Sequence, residues 1–225
     1  MTEGKKTKYV SSYVECEKNR CGDFIPGDDF QKEIKKIPLL LHSCCGPCST
    51  AVVERLADEF DVTVFFFNPC ITDESEYQRR RKAQIDFIEK FNEENIGKCR
   101  ISFKEGDYRP GSFLKLTEGM EEEPEGGKRC SLCFAQRLEK TAETAKMTGY
   151  DIFGTTLTVS PHKNFTLISE IGRKLALKYS LSFLDRDFKK KNGFARSVEP
   201  VSYTHLDVYK RQLWMSLKIS QKPME

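Results

Sequence analysis

The 225-residue chain has no apolar run approaching the roughly 20 residues that cross a bilayer, and its opening MTEGKKTKYV is too polar for the apolar core of a secretion signal. A membrane partner and an exported, oxidising setting are therefore not expected, and the reading is a cytoplasmic protein. An excess of one charge is also missing. Against 37 Lys and Arg stand 34 Asp and Glu, and the net +3 does not by itself argue for nucleic acid. Tryptophan occurs once, at Trp214. A chain of this length buries a core without cross-links, so disulfide stapling is not needed either. The nine cysteines, an odd count in a reducing compartment, point instead to metal or catalysis.

One stretch is set apart. PVSYTHLDVYKRQ, residues 200–212, back-translates to a string that, apart from its first base, is its own reverse complement. We read 201–212 as a translated sequencing-library adapter joined head to head, and the tail to residue 225 as unreliable, so the authentic chain is expected to stop near Glu199. Residues 1–36 are charged and weakly patterned and read as a leading helix or arm. Cys16 and Cys21 within it are taken as incidental thiols.

Between these ends, residues 37–199 form a single domain in which apolar runs alternate with helical patterns. Strands are predicted at 37–42 (IPLLLH), 62–67 (VTVFFF), 100–103, 151–155 and 181–184, and helices at 48–60, 74–95, 111–118, 131–148 and 164–179. Leu167, Ile168, Ile171, Leu175 and Leu177 are offered as the buried face of the last helix. Strands without polar alternation are covered on both faces. The fold class is therefore α/β, a three-layer, doubly wound, mainly parallel sheet, with the ligand site beyond the carboxyl ends of the strands.

Five thiols stand in two clusters, HSCCGPC with Cys44, Cys45 and Cys48, and RCSLC with Cys130 and Cys133, each where a strand or loop runs into a helix. Helix N-termini favour thiolate, the form that binds iron or zinc. Cys45-Gly-Pro-Cys48 also matches the dithiol of thioredoxins, which exchange disulfides. Two further thiols are surplus to that chemistry, and four thiols close a zinc site, whereas five favour iron–sulfur ligation. Cys99 is read as a small buried side chain opening a strand. The acidic loop 121–127 (EEEPEGG), just before Cys130, is either a mobile cover or a solvated loop.

LLLHSCCGPCS, the Asn68-Pro69 turn, Glu105-Gly-Asp-Tyr108, EPEGGKRCSLCF, TTLTVSPHKN and DFKKKNGFARS occur in this order. Together they resemble the epoxyqueuosine reductases of the QueH type, over residues 34–197. The resemblance implies a fold like that of the ATP-pyrophosphatases. It also implies a [4Fe–4S] cluster with an additional mononuclear iron, and cobalamin-independent reduction of epoxyqueuosine in tRNA to queuosine, fed by an external low-potential electron donor. Carried over by position, the metal ligands are Cys44, Cys45, Cys48, Cys130 and Cys133, with Asp107 or Asp187 completing the second iron; either aspartate is equally readable as a turn or cap residue. His162, Tyr108 or water would donate protons. Thr155, Thr156, Ser160, His162 and Lys163 suit a nucleoside or phosphate. Of two basic runs, 79–82 and 189–192, the second, with Lys189, Lys190 and Lys191, is the stronger candidate for RNA. Members of the family continue past Arg196-Ser197 into a helix and a Tyr-Cys-Gly-Cys segment, where this chain has the adapter. They also usually lack a thiol at the position of Cys70.

Overall fold

The structure, a computed structural model, describes residues 36–198. Cys16, Cys21 and residues 201–212, the stretch read as an adapter, lie outside the described residues. Five strands form one parallel sheet in the order β3-β2-β1-β4-β5, with β1 at Ile37–Ser43, β2 at Phe60–Phe66, β3 at Ser102–Glu105, β4 at Ile152–Thr155 and β5 at Ser182–Phe183. Six helices connect or follow them: α1 Gly46–Leu56, α2 Glu74–Glu94, α3 Pro110–Leu116, α4 Lys128–Met147, α5 Phe165–Tyr179 and α6 Gly193–Val198.

The alternation of side chains along β1 sorts the layers. Leu39 and Leu41, with Val62 and Val64 of β2, pack on Val52, Val53 and Leu56 of α1 and Phe87, Ile88 and Phe91 of α2. Leu40, Phe65 and Phe153 face the other way, onto Ala142 and Ala145 of α4 and Ala176 of α5. Every central strand is thus apolar on both faces, the condition for a doubly covered parallel sheet. Among the described residues the sheet is all-parallel, without the antiparallel hairpin of a thioredoxin. Among the described residues no helix is long and apolar enough to cross a membrane.

The starts of β3 and α4 and the buried face of α5 depart from expectation for local reasons. The backbone of Ile101 is engaged by Asn92 of α2, which accepts from its N–H at 2.7 Å and donates to its carbonyl at 2.9 Å, so β3 starts at Ser102 and Cys99 lies half-buried ahead of it. Helix α4 starts at Lys128, ahead of the expected Ser131, because the Glu123 carboxylate accepts from the Lys128 N–H at 2.9 Å. Part of the acidic loop is therefore a cap for the helix that carries Cys130 and Cys133. Leu177 is 83% exposed and does not belong to the buried face of α5, whose buried positions are Ile168, Ser169, Gly172 and Ala176. Gly172 brings that face against β5, where a Cβ would meet the Phe183 ring.

The chain order reverses between β1 and β4, which places a crevice at their carboxyl ends. Buried His42 ties the three central strands there. Its Nε2 donates to the Phe67 carbonyl at 3.1 Å, leaving Nδ1 to accept from the Thr155 hydroxyl at 3.1 Å. Burial, reinforced by the nearby Arg137 charge, lowers the imidazole pKa to about 3, so the ring is neutral.

Candidate metal centre

Directly after β1, Cys44 and Cys45 lead into α1. Cys45 is the N-cap residue, in extended conformation, and Pro47 sits in the first turn, where its missing N–H costs nothing. Gly46 is required by a close approach: a Cβ there would stand 2.7 Å from the Ala83 carbonyl oxygen of α2. Beneath the turn, the hydroxyls of Ser43 and Ser49 lie 2.6 Å apart and within 2.7 and 2.8 Å of Gln84 Oε1, and both donate to the Cys45 carbonyl. Asn68 Nδ2 donates to the Ser43 carbonyl at 3.0 Å. The loop is thereby held from β1, α1, α2 and the end of β2.

The sulfurs of Cys44, Cys45 and Cys48 all lie within 4.8 Å of one another, with 3.8 Å between Cys44 and Cys45 and 3.4 Å between Cys45 and Cys48. A tetrahedral ion with metal–sulfur bonds of about 2.3 Å spaces its ligands by roughly 3.8 Å. Three soft donors at this spacing fit a thiophilic metal. Their charges are unequal. Hydrogen bonds from Cys45 and then Cys48 hold the Cys44 thiol well below its usual pKa despite burial, with Lys163 and Arg137 adding their positive charges. Donating to Cys44 pushes Cys45 up to about 12, and the same donation raises Cys48. Of the three sulfurs, Cys44 is the one whose ionised form the surroundings favour.

The second cluster lies on the first turns of α4. Cys130 Sγ accepts from the Gly126 N–H at 3.3 Å, and it packs with Cys44, Cys45 and Cys48 around Phe134, Leu138, Leu157 and Ile168. Buried Cys133 accepts at its sulfur from Arg137 Nη2 at 2.9 Å. A hydrogen bond with Cys133 lowers the Cys70 thiol to about 6, while the same contact, with burial, raises Cys133. The structure therefore gathers Cys44, Cys45 and Cys48 in one group, sets Cys130 on the same apolar cluster, and pairs Cys133 with Cys70.

The remaining candidates are more dispersed. Asp107 is exposed, 3.4 Å from Arg109. Tyr108 stacks on Tyr77 at 3.8 Å, and its hydroxyl donates to the Ile71 carbonyl at 3.0 Å. Asp187 accepts from the Lys189 N–H at 3.1 Å, a turn contact. Thr155 and Thr156 are buried at the end of β4, and the Thr156 hydroxyl has no protein partner. Ser160 and Lys163 are half-buried and His162 is exposed. In the first basic run, Arg79 and Arg80 both pair with buried Glu76 and Arg81 pairs with Glu105. In the second, Lys190 and Lys191 are exposed while Arg55 donates to their carbonyls, and Lys189 Nζ donates to the Lys163 carbonyl.

Two members of the site escape a reading of the sequence. Arg137 follows Cys133 by four residues, the spacing that puts two side chains on one helical face, and that signal was available. Cys70 had none, because the fold alone brings the end of β2 beside α4.

The family model for epoxyqueuosine reductase QueH matches residues 39–214. An epoxyqueuosine reductase QueH of Streptococcus pyogenes serotype M1 is 41% identical over 182 residues, 81% of this chain and 70% of that protein. One from Staphylococcus epidermidis is 42% identical over 172 residues, 76% and 71% of the two chains. One from Thermotoga maritima is 32% identical over 164 residues, 71% and 79%. With its thiols gathered at the crevice of a parallel sheet and a match across most of its length, the chain belongs to the epoxyqueuosine reductase QueH family.

Proposed function

We propose that this chain reduces the epoxide of epoxyqueuosine in tRNA to queuosine, with Cys44, Cys45, Cys48, Cys130 and Cys133 holding a [4Fe–4S] cluster and an adjacent iron. The observation that carries the proposal is the buried thiol group at the switch point of the sheet in a member of this family. When bound, such iron supplies single electrons from an external low-potential donor and a Lewis-acidic face for the epoxide oxygen.

The chain supplies the rest. Conversion of the epoxide to an alkene and water consumes two electrons and two protons. His162 is exposed and able to exchange protons with solvent, and Tyr108 offers a hydroxyl beside the Ile71 carbonyl. Asp107 or Asp187 would supply the carboxylate toward the second iron. The Thr156 hydroxyl, buried and unpartnered at the end of β4, is a ready hydrogen-bonding group for a nucleoside. Anaerobic purification is expected to give a brown, iron-containing protein that, with a reductant, converts tRNA-borne epoxyqueuosine to queuosine, read as loss of one oxygen by nucleoside mass spectrometry. A colourless, zinc-loaded protein without turnover would instead favour structural zinc, the reading that the 3.4 and 3.8 Å sulfur separations support.

Lys189, Lys190 and Lys191 are assigned to the tRNA backbone. Arg55 fixes the loop at the Lys190 and Lys191 carbonyls, a contact that survives changes to the lysine side chains, while Lys189 also donates to the Lys163 carbonyl. Reversing all three charges is expected to weaken tRNA binding at least about tenfold and to flatten its salt dependence by roughly 0.7 to 0.9 in slope for each phosphate no longer neutralised. An unchanged slope would leave the three lysines as a solvated face.

A further inference from the structure

We infer that Arg137 is the counter-cation of the thiol assembly, a positioning residue whose guanidinium fixes the Cys133 sulfur and supplies the positive charge against which the thiolates are gathered. Arg137 is only 5% exposed, yet among the described residues no carboxylate pairs with it. Its polar contacts both go to one residue: Nη2 donates to Cys133 Sγ at 2.9 Å and Nε to the Cys133 carbonyl at 3.2 Å. The Phe134 ring lies 5.9 Å from the guanidinium carbon.

A buried cation without an anion is strongly disfavoured, so the compensating charge must come from what surrounds it. The groups available are sulfurs. The sulfur of Cys133 is in direct contact with the guanidinium. The planar fork matters as much as the charge. It reaches a side-chain sulfur and the carbonyl of the same residue together, which orients Cys133 in a way a lysine ammonium does not reproduce.

Each thiolate adds negative charge to a metal centre, and a fixed cation hydrogen-bonded to one ligand sulfur favours the more negative, reduced form. This consequence rests on the iron reading of the site, whereas the role of Arg137 as counter-cation does not. The test compares the full chain with Arg137→Met, which removes the charge but keeps an apolar stem, and Arg137→Lys, which keeps the charge but loses the fork. Iron per chain, midpoint potential, and thermal stability with and without metal are measured for each. Arg137→Met is expected to lower the one-electron reduction equilibrium at least tenfold, a shift of about 59 mV to more negative potential, and to lose most of the metal-dependent rise in Tm. Arg137→Lys is expected to recover most of the potential but less of the metal retention.

An unchanged potential and an unchanged metal-dependent Tm in Arg137→Met would overturn the assignment. So would failure of both variants to fold, which would make Arg137 a core residue. A wild-type chain that holds no iron would overturn the iron reading alone. The assignment is then decided with Zn2+ as the only probe: at least tenfold faster loss of zinc to a chelator in Arg137→Met supports it, and equal loss overturns it.

Discussion

Replacing Cys45 with alanine is expected to abolish metal retention and turnover while the chain stays folded. Cys45 sits in extended backbone, at φ −174° and ψ 161°, which alanine adopts freely, and its side chain makes no capping bond. The hydrogen bonds from Ser43 and Ser49 go to its carbonyl and survive the substitution. What disappears is the middle sulfur, 3.8 Å from Cys44 and 3.4 Å from Cys48. Removing an outer-shell partner of a metal ligand commonly costs about 10- to 100-fold in affinity or activity, so removal of a ligand itself should exceed that range. Cys130→Ala is expected to behave alike, since its sulfur contributes one hydrogen bond, from the Gly126 N–H, and a partly buried contact whose apolar character alanine keeps. Metal analysis, circular dichroism and turnover on the same preparations check this. Full activity at unchanged iron content would sink the assignment.

The second large effect is on acid stability, through His42. In the folded chain its pKa is lowered to about 3, chiefly by burial, whereas in the unfolded chain it titrates near its ordinary 6.5. The unfolded state therefore binds a proton that the folded state refuses between those two values. Stability from this group is complete above pH 6.5 and falls as the pH drops toward 3, by up to about 1.4 kcal/mol per pH unit. Between pH 6.5 and about pH 4.5 the loss is roughly 2.3 kcal/mol. Urea unfolding at both pH values should show this slope in the wild type and a shallower one in His42→Gln, which carries no titrating ring. Equal slopes would assign the acid sensitivity to other groups.

Both residues are visible in the chain, but only one announces its role. The thiol clusters and the doubly apolar strands are legible because both are local patterns: spacing within a turn, and runs such as LLL and VFFF with no polar alternation. His42 looks like part of a motif, and its work as a clamp depends on Phe67 and Thr155, which no local pattern places beside it. The division of the thiols is equally hidden. Cys133 meets Cys70 because α4 lies beside the end of β2, and no spacing within either cluster encodes that. The acidic loop conceals its role for a related reason: capping by Glu123 reaches five residues forward, to Lys128. Composition marks those glutamates as solvated, and geometry gives two of them backbone partners, the Gly119 N–H for Glu121 and the Lys128 N–H for Glu123.

The register of β1 with β4 also governs when the site is assembled as the chain folds. His42 and Thr155 meet although 113 positions separate them, and β1 lies between β2, its nearest strand in sequence, and β4, far downstream. Pairing of β1 with β2 closes a short loop and brings Cys44, Cys45 and Cys48 into their turn early. The helix bearing Cys130, Cys133 and Arg137 packs on Phe153 of β4 as well as on Leu40 and Phe65, so its seat is complete only when β4 docks, a long-range step and hence a slow one. Metal capture is in that sense a late event: a nascent chain that ends before β4 carries both thiol clusters but lacks the strand that completes the seat of the second.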